Sequence, residues 1–251
     1  MRKNSTIALL VSLLTVVALA APASASHSWS TYHWARTANP LALSLGDNVD
    51  TGWDAYLVTS SGQWSASTVL DTSVVPGSTT SRKCRAVAGR VEVCSAAYGQ
   101  NGWLGLASIS LSLGHIRSGT VKVNDSYFVL PTYNTPDERA HVMCQEIGHT
   151  FGLGHTSEDG SSQLTCMDYS TDQSSTAPNS HDYDQLATIY AHLDSTSTAS
   201  GAAVSASPET VGNDRSSWGQ EVERSADGKH STYVRDFGNG QSVVTEVTWA
   251  G

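Results

Sequence analysis

The stretch "TPDERAHVMCQEIGHTFGLGH", residues 135–155, constrains the fold of this chain more than any other. Thr135 followed three residues later by Glu138 is a capping-box pattern, and Pro136 suits the first helical position. Asp137 and Glu138 favour the positive end of the helix dipole. From there Ala140, Met143, Ile147 and Phe151 recur at helical spacing and form a stripe to be buried. Gly152 can supply the left-handed residue that ends the helix and lets the chain double back. Residues four apart lie on one face, so Gln145 and His149 aim at one point, while Glu146 lies about 100° further round. The reversal at Gly152 then returns His155 to the same point.

That grouping has a chemical meaning. Hydrolytic zinc takes three protein ligands and keeps one position open, and a nearby carboxylate accepts the proton of the attacking water. "QEIGHTFGLGH", followed downstream by "CMDYS", resembles the metzincin superfamily of zinc endopeptidases, whose motif is H-E-x-x-H-x-x-G-x-x-H with a later methionine turn. The direct match covers about 25 residues. The resemblance implies Zn2+ as cofactor, Glu146 as general base, His149 and His155 as ligands, Met167 beneath the metal, and Tyr169 as a stabiliser of the transition state. It also implies an α+β, metzincin-like fold over residues 26–194: a mixed twisted sheet with two main helices and a C-terminal helix. The expected activity is that of a secreted zinc metalloendopeptidase acting on protein or peptide substrates.

One position departs from the pattern. Gln145 stands where the motif has its first histidine, and three readings compete. Gln145 can itself be a ligand, since its amide oxygen has similar reach and no charge, though it is a poorer donor than imidazole. A nearby histidine can substitute; His141 is excluded because eight helical residues set it about 12 Å along the axis from His149, which leaves His33, His115 and His181 with no spacing argument for any. In the third reading the metal is lost and the domain is a non-catalytic secreted binding protein. The first is the expectation, with Gln145, His149 and His155 as the ligand set. A structural module held by its disulfides is the more distant alternative.

The remaining sequence sets the context. Arg2 and Lys3, an apolar run from Ile7 to Ala20, and Ala23-Ser24-Ala25 make residues 1–25 a signal peptide. The apolar run is shorter than the roughly 20 residues that span a bilayer, so a secreted monomer without a membrane anchor is expected. Removing Arg2 and Lys3 takes the formal charge from −9 to −11 (12 basic against 23 acidic residues), which argues against nucleic acid as a partner. Cys84, Cys94, Cys144 and Cys166 allow three pairings. The expected ones are Cys84–Cys94, closing a short loop, and Cys144–Cys166, tying the motif helix to the segment after it.

Strand-like alternation marks 29–34, 41–45, 68–75, 90–94, 103–111 and 120–124; in the fifth run Trp103, Gly105, Ala107, Ile109 and Leu111 are expected on one face. Trp53, Tyr56, Leu57 and Trp64 predict a first helix, and Tyr183, Leu186, Ile189, Tyr190 and Leu193 a last one over about 181–193. Residues 195–209, rich in Ser, Thr and Ala, read as a linker. Residues 210–251 carry two alternating runs around Gly238-Asn239-Gly240, a β-hairpin that either joins the main sheet or hangs free.

Overall fold

A computed structural model describes residues 27–157, 159–170, 172–199 and 210–251; the expected signal peptide and residues 200–209 of the expected linker lie outside them. The fold is α+β. The elements run β1 (His33–Trp34), β2 (Leu41–Asn48), α1 (Asp54–Trp64), β3 (Leu70–Pro76), β4 (Arg90–Ala96), β5 (Trp103–Ser112), β6 (His115–Asn124), α2 (Asp125–Phe128), α3 (Pro136–His149), α4 (Ser180–Ile189), α5 (Arg215–Trp218), β7 (Gln220–Arg224), β8 (His230–Gly238) and β9 (Gln241–Trp249).

Among the described residues the strands form one mixed sheet in the order β3-β2-β4-β6-β5-β9-β8-β7, with β1 paired to β6. The first four strands in that order run parallel, and from β5 onward every neighbour is antiparallel. The C-terminal hairpin therefore does not hang free. β9 lies along β5 from Trp103–Trp249 to Ser112–Gln241, and it continues the sheet on the far side.

Helices α1 and α3 cover one face. Their apolar residues Leu57, Trp64, Met143 and Ile147, with Phe151 just past α3, close over Leu45, Val93, Ile109 and Val121 as the main core. Since alternate residues of a strand point to opposite faces, Val243, Val247 and Trp249 of β9 point away from Val244 and join Trp218 and Tyr233 in a second core cluster. Trp103 belongs to that second cluster with Leu106, whereas Leu104, Ile109 and Leu111 belong to the first. The register shift between Trp103 and Gly105 explains this: one extra residue, a β-bulge, turns Trp103 to the other side from the face that simple alternation predicts. The last helix is also shorter than expected. It ends at Ile189, and Leu193 is left 56% exposed.

Both expected disulfides are present, Cys84–Cys94 and Cys144–Cys166. They are compatible with an extracellular protein, and among the described residues no helix is long and apolar enough to cross a membrane. Asp194 and the start of the expected linker, residues 195–199, bind the N-terminal segment. Thr198 donates its amide to the Ala35 carbonyl at 2.9 Å, its hydroxyl accepts the Ala35 amide at 2.9 Å, and Ala199 is buried.

Candidate functional site

Helix α3 starts as its sequence dictates: the Thr135 hydroxyl accepts the Glu138 amide at 3.2 Å and Pro136 opens the helix. Its C-terminal half, Val142 to His149, is wholly buried. Gly152 ends it with φ +94, and an added Cβ there would lie 2.2 Å from the Tyr32 carbonyl oxygen, so both the backbone conformation and the close approach require glycine. The chain then turns back beside residues 27–29, held by the Trp29 amide on the Gly152 carbonyl at 2.8 Å.

This reversal brings His155 to His149. Their rings meet edge to face with centroids 4.5 Å apart. His149 Nδ1 lies 2.8 Å from the Leu153 carbonyl, which fixes the proton on that nitrogen and leaves the Nε2 lone pair for a metal ion. Trp29 stacks flat on the His149 ring with centroids 5.1 Å apart. Burial drives the His149 pKa down to about 4 and that of His155 well below its ordinary value, so both rings are neutral near pH 7. Neither Nε2 has a hydrogen-bond partner.

The third member of the group comes from the C-terminal hairpin. Ligand atoms of His149, His155 and Glu246 all lie within 4.8 Å of one another. Glu246 of β9 sits 3.7 Å from His155 Nδ1 through Oε1, and its Oε2 accepts the Thr232 hydroxyl at 2.6 Å. His230 of β8 packs over the same place, stacked on Tyr169 at 3.8 Å and tilted against His155 at 4.9 Å. Two neutral imidazoles and a carboxylate are a donor set that suits a divalent ion, and His₂Glu sets occur at catalytic zinc. Among the described residues two further groups can hold a metal ion, His27/His181/Asp182 and His33/His115/Asp194.

Gln145 is engaged elsewhere. Its Nε2 donates to the Asp168 carbonyl at 3.0 Å, and its Oε1 accepts the Thr248 hydroxyl at 3.1 Å. The side chain thus joins α3 to the turn around Met167 and Asp168 and to β9. The neighbouring Glu146 is buried beside it, with Oε1 2.6 Å from the Thr248 hydroxyl oxygen and Oε2 without a hydrogen-bond partner. Burial raises its pKa to about 8 against the lowering effect of Thr248. Gly105 of β5, opposite Thr248 across the ladder, makes the room that this carboxyl occupies.

Met167 is buried against Gly148 and Trp64, where a Cβ on the glycine would lie 2.5 Å from the methionine sulfur and 2.6 Å from the indole. The Cys144–Cys166 bond and the carboxylate of Asp168, which accepts the Gln163 and Ser170 amides at 2.6 and 2.9 Å, fix this turn beneath the helix. Tyr169 lines a cavity of about 430 Å³ together with His230, Thr248, His141, Glu138 and Lys229. His141 points to that cavity's wall, with Nδ1 2.6 Å from the Ser175 carbonyl.

Glu246, His230 and Thr248 were not singled out by the sequence. A signal existed: in "SVVTEVTW" a glutamate occupies the same parity as Val244, so it faces the core side of the strand and needs a partner there. What the sequence lacked was the pairing partner of the hairpin. The chain matches no protein-family profile, and no curated protein is significantly similar to it.

Proposed function

We propose that this chain is a secreted, zinc-dependent endopeptidase of metzincin type, with His149, His155 and Glu246 holding the metal and Glu146 as general base. The observation that carries the reading is the convergence of two neutral, buried imidazoles on a third acidic ligand, one helical turn from a second buried carboxylate. A bound metal supplies Lewis-acid polarisation of a carbonyl and a water of lowered pKa. The chain supplies the rest. Thr248 orients Glu146 through Oε1, which leaves Oε2 to accept and return a proton. Burial raises the pKa of that carboxyl to about 8, so without a metal it is largely protonated at neutral pH, and the charge of a bound cation would lower it toward the range of a working base. Tyr169, held by its stack on His230, borders the cavity in which a peptide carbonyl is received. In this reading Gln145, the ligand expected from the motif, serves as a cross-brace between the helix, the turn and β9.

The test is Glu146→Ala in the mature protein loaded with one equivalent of zinc. Hydrolysis of an unfolded protein substrate should fall by at least about 100-fold, and an unchanged rate refutes the assignment. A second reading, a non-catalytic binding domain on the same scaffold, is supported by β9 running the length of β5 and by the complete burial of Glu146 and His149. Stoichiometric zinc without peptide hydrolysis by the wild type selects it.

A further inference from the structure

We propose that His33, His115 and Asp194, with His192 beside them, form a second metal site for a divalent ion of zinc type, distinct from the His149/His155 group. It is assembled from three parts of the chain: β1, the first residue of β6, and the segment after α4. The Nε2 atoms of His33, His115 and His192 lie 3.5, 3.3 and 3.5 Å from one atom, Oδ1 of Asp194. Ring centroids of His33 stand 4.8 Å from those of both His115 and His192.

The spacing is informative. Charge-assisted hydrogen bonds between nitrogen and a carboxylate close to about 2.7–2.9 Å. Two donors each about 2.05 Å from one zinc ion at the tetrahedral angle lie about 3.3 Å apart, and three nitrogens keep that distance from one oxygen. A carboxylate oxygen has two lone pairs, too few to bond three ring N–H groups well.

The outer contacts fix the donors as ligands usually are fixed. His33 Nδ1 lies 2.8 Å from the Thr31 carbonyl, which fixes the ring with Nε2 toward Asp194. Asp194 Oδ2 accepts the Arg36 amide at 2.8 Å, which leaves Oδ1 for the three rings. Ligand atoms of His33, His115 and Asp194 all lie within 4.8 Å of one another, and His192 Nε2 lies 3.5 Å from Asp194 Oδ1 at the edge of that group.

The site has a mechanical role to fill. It pins the N-terminal segment to the end of α4, where Trp34 Nε1 donates to the Thr150 carbonyl at 2.9 Å and the Tyr190 hydroxyl donates to the Phe151 carbonyl at 3.0 Å. Those two carbonyls belong to the turn that sends the chain back to His155.

The experiment is metal counting on the full mature protein after dialysis against micromolar zinc, with three variants. Wild type should hold about two equivalents; the double variant His115→Ala/His192→Ala should lose one; Asp194→Asn should weaken the same site by at least about 100-fold; His149→Ala should lose only the other. His115 and His192 have side chains 37% and 56% exposed, so their removal leaves the core intact. Tetrahedral cobalt absorption that survives in His149→Ala and vanishes in the double variant is the expected spectroscopic signature. If wild type and the double variant bind equal zinc and show equal chelator-induced drops in Tm, the second site does not exist. If wild type holds one equivalent that His149→Ala retains and the double variant loses, this inference stands while the catalytic reading falls.

Discussion

Gly105→Ala is the substitution whose consequence can be worked most directly from the structure. A Cβ at residue 105 would lie 2.3 Å from Glu146 Oε1 and 2.8 Å from both Cδ and Cγ. Ordinary contact begins near 3.4 Å, so the carboxyl must retreat by about 1 Å. It has little room to do so, because Glu146 is fully buried and Oε1 is held at 2.6 Å by Thr248. Overpacking of this kind costs about 1–3 kcal/mol, and we expect about 2 kcal/mol in the metal-free protein. In a Glu146→Ala background the obstacle is gone, and the same alanine should be neutral within about 0.5 kcal/mol. Urea unfolding of the four proteins in the presence of a chelator measures this cycle without reference to activity. With zinc bound, a base displaced by 1 Å should cost about 100-fold in kcat while zinc content stays unchanged. Additive effects of the two substitutions would mean that Glu146 does not sit against Gly105, and the base assignment would lose its geometric support.

Three further predictions test other parts of the molecule. Glu246→Gln should weaken zinc binding at the His149/His155 site by at least about 100-fold, more than loss of an outer-shell partner costs, whereas Gln145→Ala should change it only a few-fold; the opposite ranking in a competitive chelator titration returns Gln145 to the ligand set. Gly152→Ala should cost more than about 2 kcal/mol in chemical denaturation, because φ is +94 and the methyl would meet the Tyr32 carbonyl; stability within about 0.5 kcal/mol of wild type refutes it. Burial lowers the Lys122 pKa from 10.5 to about 8, so between those values the unfolded chain binds the additional proton and stability rises with pH, by about 3 kcal/mol if the window is completed. Comparing Lys122→Met with wild type at pH 8 and pH 10 isolates this group, since the buried tyrosines are common to both, and equal pH dependence in the two proteins excludes it.

Much of the fold was legible because its signals are local. Helix α3 is announced by Thr135, Pro136 and Gly152, each acting through contacts within a turn, and the reversal that joins His149 to His155 follows from them. The hairpin turn at Gly238–Gly240 was legible for the same reason: both glycines have positive φ. What escaped was set at a distance. The face of Trp103 depends on a bulge that only the pairing of β5 with β9 reveals. The partners of Gln145 lie 23 and 103 residues away, and no periodicity in the helix encodes them. His33, His115 and His192 carry no motif spacing at all; their common carboxylate emerges only when the end of α4 is laid beside β1.

The placement of β9 has a bearing on how the molecule comes into being. His149 and His155 leave the ribosome together with their helix and turn, but Glu246 follows about ninety residues after them, and the strand that carries it must reach back past α4 to β5. Pairings so remote in sequence form late, after loop-closure entropy has been overcome. Any partially synthesised or partially exported chain that ends before residue 246 therefore contains the two histidines without the third member of their group. The order of synthesis itself postpones the assembly of this centre until the sheet is complete.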